Sequence, residues 1–228
     1  MTLDIVIPTL DAAATIARTL SAVSAARGIW PCRIVVCDGG STDDTAAIAH
    51  ARGAQVITAP PGRGGQLAAG AAAGGKSDLL LFLHADTVLS PDWVAAAGQF
   101  MDGAASGDRA GYFRLRFDSD SPRARTVERW AAWRCRNLGL PYGDQGLLIK
   151  RTFYDRVGGY RALPLMEDVD LVRRIGRQRL VALDAEAKTS AARYERDGWI
   201  LRPLRNLFCL GLFALGMPPH LIARVYGK

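Results

Sequence analysis

An α/β fold, its sheet mostly parallel, twisted and flanked by helices, is predicted by three features of this 228-residue chain. Short β-branched or leucine-rich runs alternate with alanine-rich stretches of helical spacing over the first 110 residues. One of these runs, Leu-Leu-Leu-Phe-Leu at 79–83, is apolar at every position, as a strand covered on both faces must be. The strand ends carry Thr9, Asp38 and Asp86. Those are polar groups at the carboxyl ends of strands, where open parallel sheets bind their ligands.

Each element has its own reason. Residues 3–8 form a strand closed by Pro8, and Ile16, Leu20 and Val23 follow at helical spacing. Residues 33–38 are a second strand, after which Ser41 or Thr42 is expected to cap a helix running to about Arg52. A short strand at 55–58 and an alanine-rich helix at 65–73 precede the 79–83 strand, and Pro91 opens another helix. After residue 110 the rhythm changes. Phe113, Leu115 and Phe117 alternate with Tyr112, Arg114 and Arg116, a half-buried strand that makes the second half of the sheet mixed. A helix at 123–138, strands at 146–150 and 179–183, a helix at 167–177 and an apolar C-terminal helix complete the pattern. With no linker, low-complexity tract or repeat, one domain is expected, in three parts: 1–110, 111–198 and the basic-flanked tail 199–228.

Composition narrows the function. Apolar residues are 49% and charged residues 22%, which excludes a disordered chain or a fibre. No apolar run approaches the ~18 residues of a membrane span, and the N-terminus has an acid where a leader would be positive. Cys32, Cys37, Cys135 and Cys209 lack any paired spacing, so reduced thiols in the cytoplasm are expected. The net charge of +7 is unevenly spread: residues 1–113 carry −3 and residues 114–228 carry +10, and all but four of the 29 basic residues are arginine. Arginine forks suit phosphates and carboxylates. The second half therefore either presents a solvated basic face or meets an anionic partner, such as a diphosphate, a nucleic acid or a lipid headgroup.

Two glycine-rich stretches imitate nucleotide loops and fail on context. Gly70-Ala-Ala-Ala-Gly-Gly-Lys-Ser77 has P-loop spacing but ends a helix and precedes a strand. Gly62-Arg-Gly64 lacks the third glycine of a dinucleotide turn. Among acidic pairs, Asp118 and Asp120 belong to a turn, where aspartates bond their own backbone. Asp86 differs because the most apolar strand delivers it beside Asp38. Glu167-Asp168-Val-Asp170 puts three acids in four residues of a basic half: either a helix first turn, or a site that needs a general base.

Taken in order, these residues resemble family 2 glycosyltransferases of the GT-A fold. "IVIPTLDAAATIARTL" is similar to the family's opening strand and helix, "IVVCDGGSTDDT" to its DDGSxDxT signature, and "GRGGQLAAG" to its glycine-rich segment. "LLLFLHADT" matches the DxD region and "LMEDVDLVRRI" the ED motif. "GDQGLLIKR" and the tail "RPLRNLFCLGLFALGMPP" are similar to a subgroup associated with radical-SAM and selenodomain proteins and linked to arsenosugar biosynthesis. The resemblance implies a GT-A-type, Rossmann-like sheet and an inverting enzyme. That enzyme would pass a sugar from a UDP- or GDP-sugar to an acceptor hydroxyl with a divalent cation, Mg²⁺ or Mn²⁺, and would have no nucleic-acid partner. Carried over, Pro8, Thr9 and Asp38, with Arg63 near, would contact the donor nucleotide, and Asp86 would hold the cation bridging its phosphates. Asp168 would be the general base and Glu167 its neighbour, with Asp144 and Gln145 on the acceptor side.

Two positions depart from the family. His84 replaces the first acid of DxD, so the cation would rest on Asp86 with help from imidazole. Asp11 stands where asparagine is common. A nucleotidyltransferase is one rival, and a nucleotide- or membrane-binding protein without turnover is another; release of nucleoside diphosphate or of pyrophosphate separates them. The eleven apolar residues 207–217, closed by Pro218 and Pro219, are too short to span a bilayer. The expected arrangement is a helix buried against the body or a partner subunit. The second is an interfacial helix at the inner membrane face, with Arg193, Arg196, Arg202, Arg205 and Arg224 on headgroups.

Overall fold

The computed structural model describes residues 1–103 and 107–226, so the last two residues of the predicted tail lie outside the described residues. The first half runs β1 (Leu3–Thr9), α1 (Ala13–Val23), β2 (Cys32–Asp38), α2 (Thr45–Ala51), β3 (Gln55–Thr58), α3 (Arg63–Ala73), β4 (Leu79–Phe82), β5 (Thr87–Leu89) and α4 (Trp93–Asp102). The second half runs β6 (Ala110–Phe117), α5 (Pro122–Leu138), β7 (Leu147–Lys150), α6 (Arg151–Arg156), α7 (Glu167–Ile175), β8 (Leu180–Thr189), α8 (Ala192–Asp197), α9 (Leu201–Ala214) and α10 (Pro219–Tyr226).

Among the described residues eight strands form one sheet in the order β3-β2-β1-β4-β7-β6-β8-β5. The four strands from β3 to β4 are parallel; β7 joins β4 and β6 antiparallel, β6 and β8 run parallel, and β5 closes the far edge antiparallel to β8. The sheet is buried on both faces. Ile5, Ile7, Leu79 and Leu81 pack with α1 and α4 in one core layer, while Val6, Leu80 and Phe82 pack with α3, α6 and α7 in the other. This is the two-sided cover that the all-apolar run at 79–83 predicts.

Local chemistry accounts for the boundaries. Ser121 caps α5, accepting from the Arg123 N–H, with Pro122 in its first turn, and Gly139 ends it at φ +62. The P-loop-like stretch is the end of α3 with its Gly74 cap, as its context implies. The expected cap of α2 is corrected. Ser41 and Thr42 hydrogen-bond Asp38 and Asp11 respectively, so α2 begins only at Thr45, whose N–H is met by Asp43. Tyr112 is also a correction, because it is buried where an alternating strand would expose it. The strand predicted at 179–183 continues to Thr189 through Ala185 and Ala187, which face inward. The tail helix starts at Leu201, six residues before the apolar run, since Pro203 falls in the first turn, where its missing N–H costs nothing.

Candidate functional site

The carboxyl ends of β1, β2 and β4 and of β6 and β8 meet at one end of the sheet, and the amino end of β7 joins them there. A cleft of about 890 Å³ opens at that end and adjoins a smaller pocket of about 170 Å³. Arg63, His84, Asp86, Ser190, Arg193, Arg202 and Tyr226 line both. The outer part adds Pro8, Thr9, Leu10, Asp11, Gly62 and Gln66; the inner part adds Tyr142, Gly143, Asp144, Glu167, Asp168 and Tyr194.

On the outer bank, Thr9 Oγ1 donates to Asp38 Oδ1 (3.1 Å), and Asp38 Oδ2 accepts from the N–H groups of Gly40 (3.1 Å) and Ser41 (2.8 Å). Burial pushes the Asp38 carboxyl up, but the hydrogen bonds from Ser41, Thr9 and Gly40 outweigh it and hold the group below its ordinary value. Asp38 therefore sits behind Thr9 and does not line the cleft, where both were expected to contact the donor nucleotide. Gln66 of α3 pins the same strand ends, donating to the carbonyls of Thr9 (2.7 Å) and Cys37 (2.8 Å). Asp11 adopts φ +48, a conformation aspartate tolerates, and accepts from the Thr42 N–H at 2.8 Å.

His84 and Asp86 occupy the turn between β4 and β5, which Thr19 of α1 anchors by donating to the Ala85 carbonyl (2.9 Å). On the inner bank Met166, in the left-handed region at φ +67, launches α7 so that Glu167 and Asp168 enter the cleft. Asp168 Oδ2 accepts from the Gly143 N–H (2.9 Å), and Oδ1 from the Val169 N–H (2.7 Å). Asp170 turns away to Arg174 (2.6 Å) and Arg161 (3.3 Å), so the acidic cluster splits into two site residues and one structural one.

Arg63 spans the banks. It lies 3.5 Å from Glu167, and although burial opposes its charge, the carboxylates of Glu167, Asp168, Asp86 and Asp144 together hold it firmly protonated. Gly143 is a second link: its N–H holds Asp168, while a Cβ added there would lie 2.5 Å from His84 Nε2. Asp144 carries the strain of the arrangement. Burial, reinforced by Asp168 and Asp86 against the counter-pull of Arg134 and Arg63, pushes its carboxyl up to about 6. Its Oδ1 is buried and takes no hydrogen bond from the described residues.

Gln145 is not brought to the cleft. Its Oε1 accepts from Arg134 Nη2 (3.1 Å) and Cys135 Sγ (3.1 Å), and its Nε2 donates to the Phe113 carbonyl (3.1 Å), so it locks the loop that carries Asp144. The residues that sequence motifs missed are the arginines of the far wall. Arg193 and Arg196 of α8 and Arg202 and Arg205 of α9 all line the cleft. Asp197 gathers three of them, Arg202 at 2.6 Å, Arg196 at 2.8 Å and Arg205 at 3.3 Å, and the Arg196 hydrogen bond leads in holding its carboxyl down at about 2. The signal for them was the +10 charge of residues 114–228.

Among the described residues no three His, Cys, Asp or Glu side chains converge into a complete metal-ligand set. The donor types still fit a hard divalent cation that takes one or two carboxylates and completes its shell from phosphate and water. Asp86 offers the carboxylate, His84 stands two residues away, and Asp144, whose buried Oδ1 takes no hydrogen bond from the described residues, lines the same pocket.

The family model described as glycosyl transferase family 2 matches residues 4–163. No curated sequence matches the chain significantly. Among solved structures, glucosyl-3-phosphoglycerate synthase from Mycobacterium tuberculosis in complex with Mn²⁺, UDP and glucosyl-3-phosphoglycerate is 22% identical with a TM-score of 0.57, over 83% of this chain and 70% of that one. The same enzyme with Mg²⁺ and UDP gives 23% and 0.56, over 83% and 69%. S. aureus TarS 1–349 in complex with UDP-GlcNAc gives 15% and 0.61, over 83% and 58%. The likeness is one of fold, the GT-A-type sheet.

Proposed function

The chain belongs to glycosyl transferase family 2, and from that premise we propose that it moves a sugar from a UDP- or GDP-sugar to an acceptor hydroxyl with inversion at the anomeric carbon. The observation that carries the reading is that Asp86 with His84, and Asp168 with Glu167, line one cleft, joined across it by Arg63 and Gly143. The nucleotide lies along Pro8 and Thr9, with Asp38 fixing Thr9 from behind. The diphosphate faces Arg63 and the arginines of α8 and α9. A divalent cation, held by Asp86 and secondarily His84, offsets charge on the leaving diphosphate when bound. It suits this pocket, as do the Mn²⁺ and Mg²⁺ of the structural neighbours. Asp168 takes the acceptor proton as the hydroxyl attacks, and a single displacement by one base inverts the centre. Glu167 holds Arg63 beside the base, and Asp144 lies on the acceptor side. Within the family, the stretch at 143–151 and the tail support the arsenosugar-linked subgroup.

A screen of UDP- and GDP-sugars, reading free nucleoside diphosphate with and without Mn²⁺, tests the reading. Donor-dependent, cation-dependent release is expected, and pyrophosphate release would overturn it. Asp86→Ala should abolish cation-dependent nucleotide binding, while His84→Ala should shift only cation affinity or preference. The reverse pattern in calorimetry would exchange their roles.

A further inference from the structure

We propose that the outer face of α9 and α10 is a docking surface for an anionic lipid bilayer, on which the enzyme lies with its cleft at the membrane surface. Helix α9 is built inside out. Leu201, Leu204, Phe208, Gly211 and Leu215 recur at spacings of three, four, three and four, so they form one stripe, and every one is exposed, Leu201 at 70% and Leu215 at 87%. Ile200 and Leu207 widen the stripe, and no charged residue interrupts it. The helix's own cations point the other way: Arg202 and Arg205 turn into the cleft, where Arg202 is only 11% exposed beside Asp197. The interfacial arrangement expected from sequence, with these two arginines on headgroups, is thus corrected, and what faces outward is leucine and phenylalanine. Burial against the body, the other expected arrangement, is only partial: within α9 Cys209 and Leu210 alone are buried, packed with Ile222 against α7.

The surroundings select the occupant. On α10, Leu221, Arg224 and Val225 share one exposed face at helical spacing, so a cation is set among the apolar side chains. An apolar face that carries a cation, Arg224, complements a bilayer with anionic headgroups. A second copy of this chain packed on the face would have to desolvate Arg224 among the apolar side chains, whereas a bilayer leaves it at the headgroups. Fourteen residues of helix rise about 21 Å, and among the described residues no helix is long and apolar enough to cross a membrane. The helix therefore lies along the surface. Its inner side meanwhile lines the cleft with Arg202, Arg205 and Asn206, so one helix diameter, about 10 Å, separates bilayer from site. If the transfer proposed above holds, on which this last step rests, the acceptor class is a membrane-borne hydroxyl compound.

The test is co-sedimentation of the full-length chain with phosphatidylglycerol–phosphatidylcholine vesicles at low ionic strength, with UDP and GDP binding followed in parallel by calorimetry. The chain should sediment. Leu204→Gln/Phe208→Gln should weaken the partition at least about tenfold, and Arg224→Gln about fivefold on phosphatidylglycerol vesicles only, all with UDP affinity unchanged. Leu207→Gln/Leu215→Gln serves as the second pair should the first lose its fold. Protein that stays in the supernatant overturns docking, as does sedimentation indifferent to the folded pair variants. So does a dimer, seen by light scattering, that these substitutions dissociate. Vesicle binding with neither UDP nor GDP binding would sink the proposed transfer and leave docking standing; binding of either nucleotide without vesicle binding would do the opposite.

Discussion

Asp168 spends one lone pair of each carboxylate oxygen on a backbone N–H, from Gly143 and from Val169. This fixes the plane of the carboxylate and leaves each oxygen a second lone pair for a proton. A group so placed acts in the chemical step. Asp168→Asn should lower kcat by about two to four orders of magnitude with donor affinity nearly preserved, measured by single-turnover kinetics beside calorimetry. Asp144 makes a separate prediction about stability. Its carboxyl ionises at about 6 in the folded chain and at an ordinary 3.8 when unfolded. Folding takes up a proton between those values. The stabilisation from this group is complete below 3.8 and lost as the pH rises through 6. Asp144→Asn should therefore stabilise the chain at pH 7 to 8 by up to about 3 kcal/mol, and the gain should shrink toward pH 4 in thermal melts. At this scale the sequence was legible where an acid ends a strand or opens a helix, as with Asp86, Glu167 and Asp168. It was not legible where neighbours decide what a side chain does. Asp38 and Gln145 have suitable chemistry for a site, but Thr9 and Ser41 enclose the first, and Arg134 and Cys135 the second.

Helix α3 shows how an element carries a site residue. A Cβ at Gly64 would collide with the backbone carbonyl of Arg161 and lie 2.9 Å from the Leu163 nitrogen, and one at Gly70 would collide with Val6. Small residues thus let α3 press onto β1 and onto the segment before α7, which brings Arg63 to Glu167. At Gly65 the nearest atom, the Ala162 Cβ, is 3.8 Å away, an ordinary contact. Gly64→Ala should destabilise by about 1–3 kcal/mol, the cost of overpacking, and weaken nucleotide binding by displacing Arg63. Gly65→Ala should be neutral or stabilise by up to about 1 kcal/mol through helix propensity. Urea denaturation of the two variants checks the pair, and equal effects would contradict the close approach. The glycine-rich segment was visible in sequence, but its use was not, because nothing local says which glycine meets backbone. The same holds for the hidden strand. The second half of β8 was missed because Ala185 and Ala187 give a weak alternating signal, and β5 because three residues are too few for any pattern.

Over the whole molecule, the sheet interleaves the two halves of the chain. Strand β5 belongs to the first 110 residues, yet its sheet partner is β8 of the second half, and β4 meets β7 along its other edge. Helix α4 packs on β8 too, with Trp93 in the same core as Ala185 and Ala187. The cleft is shared in the same way: the nucleotide wall comes from β1, the general base from α7 and the arginines from α8 and α9. Charge does not follow this division: the second half supplies both the arginine wall and the acids Asp144, Glu167 and Asp168, while the first half supplies Asp86 and Arg63. A fragment ending at residue 110 would leave β5 unpaired, one edge of β4 open and the Trp93 layer half covered. Unpaired edges and uncovered apolar faces are what cooperative folding eliminates. The full chain should therefore unfold in one transition, with tryptophan fluorescence and far-ultraviolet circular dichroism superimposable. Fragment 1–110 should show no cooperative transition and no UDP binding. A fragment that melts cooperatively and binds UDP would mean that the first half is a domain of its own, and that the second half only supplies the base and the arginine wall.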